Sequence, residues 1–381
     1  MKILQIGKSF PLVGGVEKVM FDIMLGLSEA GVDCDMLCAT TKGARPGIIR
    51  FNDCGRILCV PTWFKLAATM IAPALVFRLH KIKKEYDIIH IHHPDPMACA
   101  ALFFSGYKGK VVLHWHSDIL KQKTLLKFYT PFQKWLIKRA DVIVGTTPVY
   151  VEESPYLQTV QHKVTAIPIG VPMALPGEEI VMKIRQQYAG KKIILSVGRL
   201  VEYKGYEYLI KAAGYLDDDY VILIGGGGPL KDELQTLINK EGVSGKVKLV
   251  GFIPDEELPG YFGACDLFCL SSVWKTEAFA IVQIEAMSCG KPIVATNIKG
   301  SGVSWVNADG ISGLNVEPRD EKALAGAISR ILSDEGYYKQ LATGASGRYK
   351  TMFTREKMVN TCLELYKNLC GVAKLASRFE N

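Results

Sequence analysis

The chain has 381 residues, 49% of them hydrophobic and 22% charged, with 36 glycines and 17 prolines. At about 150 residues per domain, this length predicts two to three folded domains and excludes a peptide hormone, a small DNA-binding module or a single-sheet redox carrier. The first 170 residues carry 21 Lys and Arg against 13 Asp and Glu, whereas the remaining residues carry 25 of each. The whole net charge of +8 therefore lies in the first part, which predicts an anionic partner there or an uneven solvated surface.

The longest apolar run, residues 66–77, has twelve residues, whereas a membrane-spanning helix needs about 20. The apolar stretch in the opening segment MKILQIGKSF is too short for a signal peptide. This segment predicts a buried first strand. The ten cysteines never form a C-x-x-C pair, so we interpret them as core residues of a cytosolic protein. We expect no membrane-spanning segment.

Short apolar runs alternate with longer helix-period segments, which predicts parallel sheets with crossover helices. In the first part, strands are predicted near residues 3–7, 33–38, 56–60, 87–92, 110–116, 141–145 and 163–167. A helix is predicted over 16–30, where Gly31 ends it.

Three prolines and two glycines within 168–177 predict a linker between two domains, residues 1–170 and 171–381. In the second domain, strands are predicted near 193–197, 220–224, 246–252, 267–270, 292–295 and 313–316, and the last helices over 321–333 and 355–369. Two α/β domains in series place ligands at the carboxyl ends of their strands and predict a cleft between the domains.

The strongest motif is SSVWKTEAFAIVQIEAMSCGKPIVAT, residues 271–296, which predicts a helix from Ala278 to Ser288. Glu277 begins that helix and Glu285 follows eight residues later, about 12 Å along the axis. The backbone N–H groups of residues 278–281 would form an anion site between the glutamates. The four residues of this predicted anion site are Ala278, Phe279, Ala280 and Ile281.

A nucleoside-diphosphate sugar matches this layout, with hydroxyl groups on either side of a diphosphate. Glu277 would then accept hydrogen bonds from the sugar and Glu285 from the ribose. The alternative is a glutamate that stabilises the helix dipole and a second, solvated glutamate.

The segment SVGRLVEYKGYEYLIKA, residues 196–212, follows a buried strand with Gly198, Arg199 and Lys204. Fixed cations at a strand end suit a phosphate that gains negative charge as its bond to a sugar breaks. Two ordinary surface cations are the alternative. Further along, the glycine run 225–228 permits close approach of a nucleotide, or forms only a flexible turn.

The segment FPLVGGVEKVM places Gly14 and Gly15 just before the first helix. Glycines there let a ligand approach the backbone, although a plain tight turn explains them equally well. The segment lacks the G-x-G-x-x-G order that a nicotinamide or flavin site needs, which argues against a nucleotide-sugar epimerase or dehydrogenase.

The strand KVVLHWHSDI, residues 110–119, ends in several polar side chains. Alternation places His114 and His116 on one face and Trp115 on the other. His116, nearer the carboxyl end, is the candidate for a substrate contact, and a core histidine is the alternative. The segment DIIHIHHPDP brings His90, His92 and His93 to a neighbouring strand, but no Cys or carboxylate at ligand spacing accompanies them.

Acidic pairs also give little support to a metal. Asp33 and Asp35 form an Asp-x-Asp in the second strand pattern, and residues 217–219 are three aspartates in a predicted turn. We interpret both groups as solvated, so no metal site is expected.

Residues 120–140, LKQKTLLKFYTPFQKWLIKRA, mix basic residues with apolar and aromatic ones, as do residues 66–84 upstream. This pattern is typical of segments that lie on anionic lipid. A core-packed helix with a cationic outer face is the alternative.

The ordered segments GGVEKV, LHWHSD, VGRLVEYKG, GGGGPLKDEL, GFIPDEEL, TEAFAIVQIE and GLNVEPRD resemble family 4 glycosyltransferases of the GT-B fold, over nearly the whole chain. The resemblance implies an α/β fold of two Rossmann-like domains, whose parallel sheets face each other across a cleft, and a C-terminal helix that returns towards the N-terminal domain. It also implies a retaining, metal-independent enzyme with no cofactor besides its nucleotide-sugar co-substrate.

The resemblance implies that Glu277 contacts the donor sugar, Glu285 the ribose, and Arg199 and Lys204 the diphosphate, with Gly198 in the same loop. The backbone of residues 278–281 completes this donor site.

On the other side of the reaction, the resemblance places Gly14 and Gly15 near the phosphate or acceptor, and His116 beside the reacting sugar with Asp118 towards the acceptor. In the donor site Ala280 departs from the family, because glycine is commoner at that position, and its methyl group narrows the space beside the sugar.

Residues 114–139, together with the earlier segment HHPDPMACAA, are similar to bacterial mannosyltransferases that build lipid-linked O-antigen or capsule chains from GDP-mannose. This implies an undecaprenyl-diphosphate-linked glycan acceptor and a peripheral location on the inner face of the cytoplasmic membrane, held by the basic N-terminal domain. The alternatives are a UDP-sugar-dependent transferase of the same fold and a non-catalytic membrane- or nucleic-acid-binding protein. The basic segments lack a groove-reading motif, so no nucleic acid partner is expected.

Overall fold

The computed structural model describes residues 1–41, 43–66, 69–119 and 123–371, without the side chains of residues 123–126. The chain forms two compact units. Within the described residues, unit 1 comprises Met1–Gly170 and 355–371, and unit 2 comprises Val171–Thr354. The change between them falls within the proline-rich stretch 168–177.

A mainly parallel sheet forms the centre of unit 1. The strands are β1 Lys2–Phe10, β2 Asp33–Thr40, β3 Gly47–Arg50, β4 Arg56–Val60, β5 Phe64–Leu66, β6 Thr69–Ile71, β7 Ile88–His93, β8 Lys110–Trp115, β9 Val142–Gly145 and β10 Val164–Ala166. Within the described residues, eight of them form one sheet in the order β10-β9-β8-β7-β1-β2-β4-β3, where β3 is antiparallel to β4. Strands β5 and β6 form a separate antiparallel hairpin.

Helices connect the parallel strands of unit 1. They are α1 Gly15–Glu29, α2 Ala74–Ile82, α3 Pro96–Ser105, α4 Lys123–Arg139 and α5 Pro148–Glu152. The carboxylate of Asp95 caps α3 by accepting from the backbone N–H groups of Met97 and Ala98, at 3.0 and 3.1 Å. Gly31 follows α1 with φ of +77°, so the glycine predicted to end that helix has the left-handed backbone of such a position.

Unit 2 is also built on a parallel sheet. Its strands are β11 Lys192–Val197, β12 Tyr220–Gly225, β13 Val247–Gly251, β14 Leu267–Leu270, β15 Ile293–Thr296 and β16 Gly313–Val316. They lie in the order β13-β12-β11-β14-β15-β16, and every pairing is parallel. The helices are α6 Glu178–Gln187, α7 Tyr206–Ala212, α8 Lys231–Lys240, α9 Leu258–Ala264, α10 Ile281–Ser288, α11 Val303–Val306, α12 Glu321–Ser333 and α13 Glu335–Arg348.

The last helix, α14 Arg355–Leu369, belongs to unit 1. Arg355 at its start forms an ion pair with Glu29 at 2.7 Å. Val359 packs against Gly26, where an added Cβ would lie 2.6 Å from the valine Cγ2, so the glycine lets α1 and α14 approach closely. The C-terminal helix thus returns to the first unit, as the resemblance implies.

The predicted α/β class with two Rossmann-like sheets is confirmed, and each predicted strand is present near its predicted position. The edge strand β3 and the hairpin β5–β6 were not predicted from the sequence. Among the described residues, no helix combines the length and the apolar character needed to span a bilayer.

Candidate active site

The carboxyl ends of β11 and β14 lie side by side in unit 2, because these two strands are neighbours in the sheet. The loop after β11 carries Gly198 and Lys204, and the loop after β14 begins with Ser271 and Ser272. The Ser271 hydroxyl donates to the carbonyl oxygen of Lys204 at 3.0 Å and so ties the loops together. Open α/β sheets bind ligands at this edge.

Lys204 and Glu277 form a buried ion pair at this edge. The Lys204 Nζ lies 2.6 Å from the carboxylate, and each side chain is 10% exposed. The Ser272 hydroxyl donates to the same carboxylate at 2.9 Å. Burial alone would lower the pKa of Lys204, but the negative charge of Glu277 raises that pKa above its ordinary value. The ammonium therefore stays charged. It has three N–H donors, so it can bind an anion in addition to Glu277.

Glycines make room for this ion pair. An added Cβ on Gly198 would lie 3.0 Å from Cε of Lys204 and 3.2 Å from its Nζ. Gly226 has φ of +134°, and an added Cβ there would lie only 1.9 Å from the carbonyl oxygen of Gly198. For the run 225–228, the sequence allowed either a nucleotide contact or only a flexible turn. Gly226 and Gly228 are packed tightly against the loop after β11, whereas an added Cβ on Gly227 would meet nothing within 4 Å.

The helix expected to begin at Ala278 begins three residues later, at Ile281. Ala280 precedes it with φ of +62°, a left-handed conformation that interrupts a helix. Glu277 therefore lies in a turn before the helix, and the 12 Å axial distance to Glu285 does not apply. Within the described residues, the N–H groups of 278–281 have no backbone acceptor, so they stay available to an anion from that turn.

The other predicted donor residues lie close to Lys204 or Glu277 in the sequence. Arg199 is exposed in the loop after β11. Glu285 is half-buried and is the fifth residue of α10. Phe279 is buried, and its ring makes an edge contact with the ring of Phe353 at 6.0 Å, which is a packing contact.

Stacked imidazole rings occupy the middle of unit 1, on the neighbouring strands β7 and β8 and just after β8. This histidine ladder consists of His90, His92, His114 and His116. The rings of His114 and His116 are nearly parallel, 7° apart in orientation and 4.1 Å between centroids. Trp115 stacks instead on His93 at 3.9 Å, which confirms the predicted alternation along the strand.

The ladder is uncharged and hydrogen-bonded. Burial lowers the pKa of each ladder histidine well below its ordinary value of 6.5, for His114 to about 3. Nδ1 of His92 lies 2.8 Å from Nε2 of His116, and Nε2 of His92 lies 2.8 Å from Oε1 of Gln5. His116, the predicted substrate contact, is thus linked through His92 to Gln5 in the core of the sheet.

Three ladder histidines meet one condition for a metal site, since nitrogen atoms of His90, His92 and His114 lie within 4.8 Å of one another. A tetrahedral site also needs nitrogen lone pairs that converge on one point about 2.0–2.1 Å away. These rings lie nearly parallel, with interplanar angles of 21°, 9° and 23°, and both nitrogens of His92 have hydrogen-bond partners. The geometry favours an uncharged stack over a metal centre.

Asp118 is buried close to the ladder strand. Its carboxylate accepts hydrogen bonds from Nε1 of Trp115 at 2.9 Å and from the Ser154 hydroxyl at 2.7 Å. These bonds hold the loop after β8 in place. The predicted contact of Asp118 with an acceptor substrate stays a prediction.

Gly14 and Gly15 lie at the start of α1, as its N-cap and first residue. The Glu17 carboxylate lies at the same helix end, 3.1 Å from the position of an added Cβ on Gly14. A carboxylate there supplies the negative charge that a helix N-terminus favours. The predicted role of the two glycines beside a phosphate or acceptor stays a prediction.

The acidic pair in β2 differs from the expectation that both members are solvated. Asp33 is exposed, but Asp35 is buried. Asp35 accepts a hydrogen bond from Nε of Arg56 at 3.0 Å and from the Tyr86 hydroxyl at 2.6 Å, so internal partners replace the water. Residues 217–219 are exposed, as expected.

Sequence reasoning missed Gln5 and Tyr366, which contact the ladder from β1 and α14. Gln5 gave one signal, as a polar residue inside the apolar first strand. Tyr366 gave none, because no pattern indicated which strand the last helix covers.

Comparisons with known proteins agree with this architecture. Residues 13–175 match the family described as Glycosyltransferase Family 4, and residues 178–348 match Glycosyl transferases group 1. The O-antigen chain mannosyltransferase C of Escherichia coli is 29% identical over 97% of this chain and 99% of its own length.

A Campylobacter jejuni enzyme, named as an N-acetylgalactosaminyltransferase acting on an N-acetylgalactosamine-N,N'-diacetylbacillosaminyl-diphospho-undecaprenol, is 28% identical over 83% of this chain and 85% of its own. The structure of Anabaena Alr3699/HepE in complex with UDP superposes with a TM-score of 0.77 at 22% identity, covering 97% of this chain and all of that one. The two family matches and the two Rossmann-like sheets together show that this chain belongs to the family 4 glycosyltransferases of the GT-B fold.

Proposed function

We propose that this glycosyltransferase moves mannose from GDP-mannose to a hydroxyl group of a lipid-linked oligosaccharide, with retention of anomeric configuration and without a metal ion. Support comes from the likeness to the E. coli O-antigen chain mannosyltransferase, and from the C. jejuni relative named for a diphospho-undecaprenol substrate. The observation that carries the proposal is the charged Lys204–Glu277 pair, buried at a strand edge where such sheets bind ligands.

In this proposal the loops of unit 2 hold the donor. Lys204 keeps its bond to Glu277 and directs its other N–H groups to the diphosphate, joined by the exposed Arg199. The free N–H groups of residues 278–281 bind the same phosphates. Glu277 accepts a hydrogen bond from a sugar hydroxyl, and Glu285 accepts from the ribose.

Transfer then follows a front-face course. The bond from the anomeric carbon to the phosphate oxygen breaks, and the acceptor hydroxyl oxygen bonds to that carbon from the same side. The proton of the acceptor hydroxyl passes to the departing diphosphate. Lys204 and Arg199 stabilise the charge that grows on the diphosphate, and this differential stabilisation supplies the rate.

His116 serves the sugar side of this reaction in unit 1. It is buried at the end of β8, with 5% of its surface exposed, and its uncharged ring accepts a hydrogen bond from a substrate hydroxyl. Asp118 orients the loop after β8, which contacts the acceptor. The glycines at the start of α1 leave space for the acceptor.

An exposed aromatic surface supports the membrane part of the proposal. The aromatic patch consists of Phe103, Phe104, Phe132 and Trp135, in which the ring of Phe103 lies 4.9 to 5.3 Å from the other three. Phe128 is 77% exposed one turn earlier on α4, and Lys127, Lys134 and Lys138 of that helix are exposed. Aromatic rings with flanking lysines suit the interface of an anionic bilayer. Residues 67–68 and 120–122 and the side chains of 123–126, which the sequence pattern also assigned to this surface, lie outside the described residues.

Co-sedimentation with vesicles tests this surface. The double variant Phe104→Ser and Phe128→Ser should lower binding to phosphatidylglycerol vesicles about thirtyfold or more, because each of the two buried aromatic rings contributes more than about 1 kcal/mol. Phe252→Ser, at a phenylalanine 76% exposed in unit 2, is the matched control and should bind like the wild type. Equal binding by all three proteins, or equal binding to duplex DNA, would contradict the membrane proposal.

A donor panel tests the reaction itself. The purified protein is incubated in EDTA with GDP-mannose, UDP-glucose, UDP-galactose or UDP-N-acetylglucosamine and a synthetic polyprenyl-diphosphate oligosaccharide, and products are identified by mass spectrometry. We expect an added hexose from GDP-mannose alone. Transfer from a UDP-sugar would replace the donor, and dependence on a divalent cation would contradict the metal-free course.

A further inference from the structure

A chain of hydrogen bonds runs from the first strand of unit 1 to His116. Oε1 of Gln5 lies 2.8 Å from Nε2 of His92, and Nδ1 of His92 lies 2.8 Å from Nε2 of His116. Gln5 and His92 are fully buried, so solvent does not compete for these bonds. Both histidines are uncharged, because burial lowers the pKa of each well below 6.5.

The other atoms of the Gln5 amide give this chain a direction. Nε2 of Gln5 donates to the Tyr366 hydroxyl at 3.2 Å and faces Sγ of Cys34 at 3.8 Å. The carbonyl oxygen of Gln5 is therefore the atom that faces His92, and an oxygen of this kind only accepts. His92 must carry its single hydrogen on Nε2.

The direction then passes to His116. An uncharged imidazole has one N–H and one acceptor nitrogen, so Nδ1 of His92 accepts, and Nε2 of His116 donates to it. The remaining nitrogen of His116, Nδ1, has no hydrogen. His116 can thus accept a hydrogen bond through Nδ1 but cannot donate one.

The C-terminal helix secures the start of the chain. The hydroxyl of Tyr366 on α14 accepts from Gln5 and lies within hydrogen-bond distance of Nδ1 of His90. Burial raises the pKa of Tyr366 well above its ordinary value, so the hydroxyl keeps its hydrogen and donates it to His90. Gln5 is thereby held with its carbonyl oxygen towards His92.

We propose that Gln5, acting through His92, fixes His116 in the tautomer with hydrogen on Nε2 and leaves Nδ1 as an acceptor for a sugar hydroxyl. Gln5 and His92 are positioning residues, since they act on the substrate only through His116. This inference rests on the proposed role of His116 at the reacting sugar, but the tautomer itself is a property of the free protein.

Nitrogen-15 NMR of histidine-labelled protein measures the tautomer without substrate. The signals of His116 are assigned by their loss in His116→Gln. We expect a protonated Nε2 and an unprotonated Nδ1 in the wild type. The opposite assignment would overturn the proposal, because it would require the Gln5 amide to be turned over.

Gln5→Met keeps the size of the side chain and removes the acceptor. His116 should then show a mixture of both tautomers. The kcat should fall about tenfold, the lower end of the loss known for hydrogen-bond partners of metal-binding histidines, while donor KM changes less than twofold. Gln133→Met is the matched control. Gln133 is also a buried glutamine of unit 1, but its amide atoms have no hydrogen-bond partner within the described residues, so the tautomer and kcat should stay as in the wild type.

The outcomes separate this inference from the proposed reaction. If Gln5→Met does not fold, the wild-type spectrum still decides the order of the hydrogens. An active wild type in which Gln5→Met keeps a single Nε2 tautomer would overturn the inference and leave the reaction standing. A wild type with the expected tautomer that transfers no mannose would overturn the proposed donor, whereas the Gln5–His92–His116 chain would stand.

Discussion

The two units bury polar side chains towards the carboxyl ends of adjacent strands in opposite ways. Unit 2 buries two opposite charges, Lys204 and Glu277, in direct contact at 2.6 Å. Unit 1 buries uncharged imidazoles, which burial holds in the neutral state. A buried charge is tolerated only with a partner, whereas a neutral ring needs only packing and hydrogen bonds.

The comparison teaches that the two sites respond to different perturbations. The unit 2 pair is sensitive to the removal of either member, because the other would be left as an uncompensated charge. The unit 1 ladder is sensitive to acid, because protonation would place charge in a site that excludes water. The predictions below test this contrast, from the largest expected effect to the smallest.

Glu277→Gln should lower the free energy of unfolding by about 3–5 kcal/mol, because it leaves the Lys204 ammonium buried without its counter-charge. Urea titration measures this loss. Lys192→Ala is the control in the same unit, where the pair Lys192–Asp219 is more exposed and 3.3 Å long, and it should cost at most about 1 kcal/mol. Equal losses in the two variants would show that the Lys204–Glu277 pair is not a desolvated pair.

Lowering the pH should destabilise unit 1 through its ladder. The pKa of His114 is about 3 in the folded protein and 6.5 when unfolded. Between these values the unfolded chain binds more protons, so stability decreases as the pH is lowered. At 1.36 kcal/mol per pH unit, this single ring costs about 2 kcal/mol between pH 6.5 and 5.

The matched test replaces one imidazole inside the ladder and one outside it. His114→Phe keeps an aromatic ring in the stack and should remove about 2 kcal/mol of that acid-induced loss. His80→Gln, at an exposed histidine on α2, should leave the loss unchanged. Urea titrations at pH 8 and pH 5 measure the loss of unfolding free energy in each protein. An equal loss in the wild type and in both variants would contradict the neutral ladder.

Glu285→Ala should raise the donor Kd about tenfold, the cost of one hydrogen bond to a charged group, while kcat changes less. Lys204→Ala should instead lower mainly kcat, by about 100-fold, because its charge matters most as the diphosphate departs. Calorimetric titration and initial rates separate these effects. Glu241→Ala, at an exposed glutamate of unit 2, is the control. Negligible effects of both substitutions would remove the assigned roles.

Ala280→Gly should stabilise unit 2 by under about 1 kcal/mol. The substitution relieves the left-handed backbone at φ of +62°, and the greater freedom of glycine in the unfolded chain offsets part of the gain. Ala278→Gly is the control and should destabilise. A loss of stability in Ala280→Gly would show that the alanine methyl group contributes packing that outweighs the strain.

Periodicity predicted most of the fold because parallel strands are buried on both faces and helices end at glycines. Residues 64–66 and 69–71 pair as the strands of the hairpin β5–β6 instead of continuing a helical surface, and strand β3 is exposed along its whole length. Neither the hairpin nor β3 shows the apolar pattern from which strands are predicted. The predicted start of α10 was wrong for a different reason, because the residue type of Ala280 does not indicate its positive φ.

The sequence predicted which residues belong to the candidate site, but not which of their side chains are in contact. The motifs gave Lys204 and Glu277 separate roles, because nothing in the 72 residues between them indicates that their side chains touch. The pairing depends on β11 and β14 being neighbours in the sheet. The bond of Gln5 to His92 likewise depends on β1 lying next to β7. Strand order is the information that local patterns lack.

The most direct test of the account is the crystal structure of the protein soaked with GDP-mannose. The account predicts density for the diphosphate within hydrogen-bond distance of Nζ of Lys204 and of the N–H groups of residues 278–281. The nucleotide bound elsewhere, with Lys204 still bonded to Glu277 alone, would contradict it.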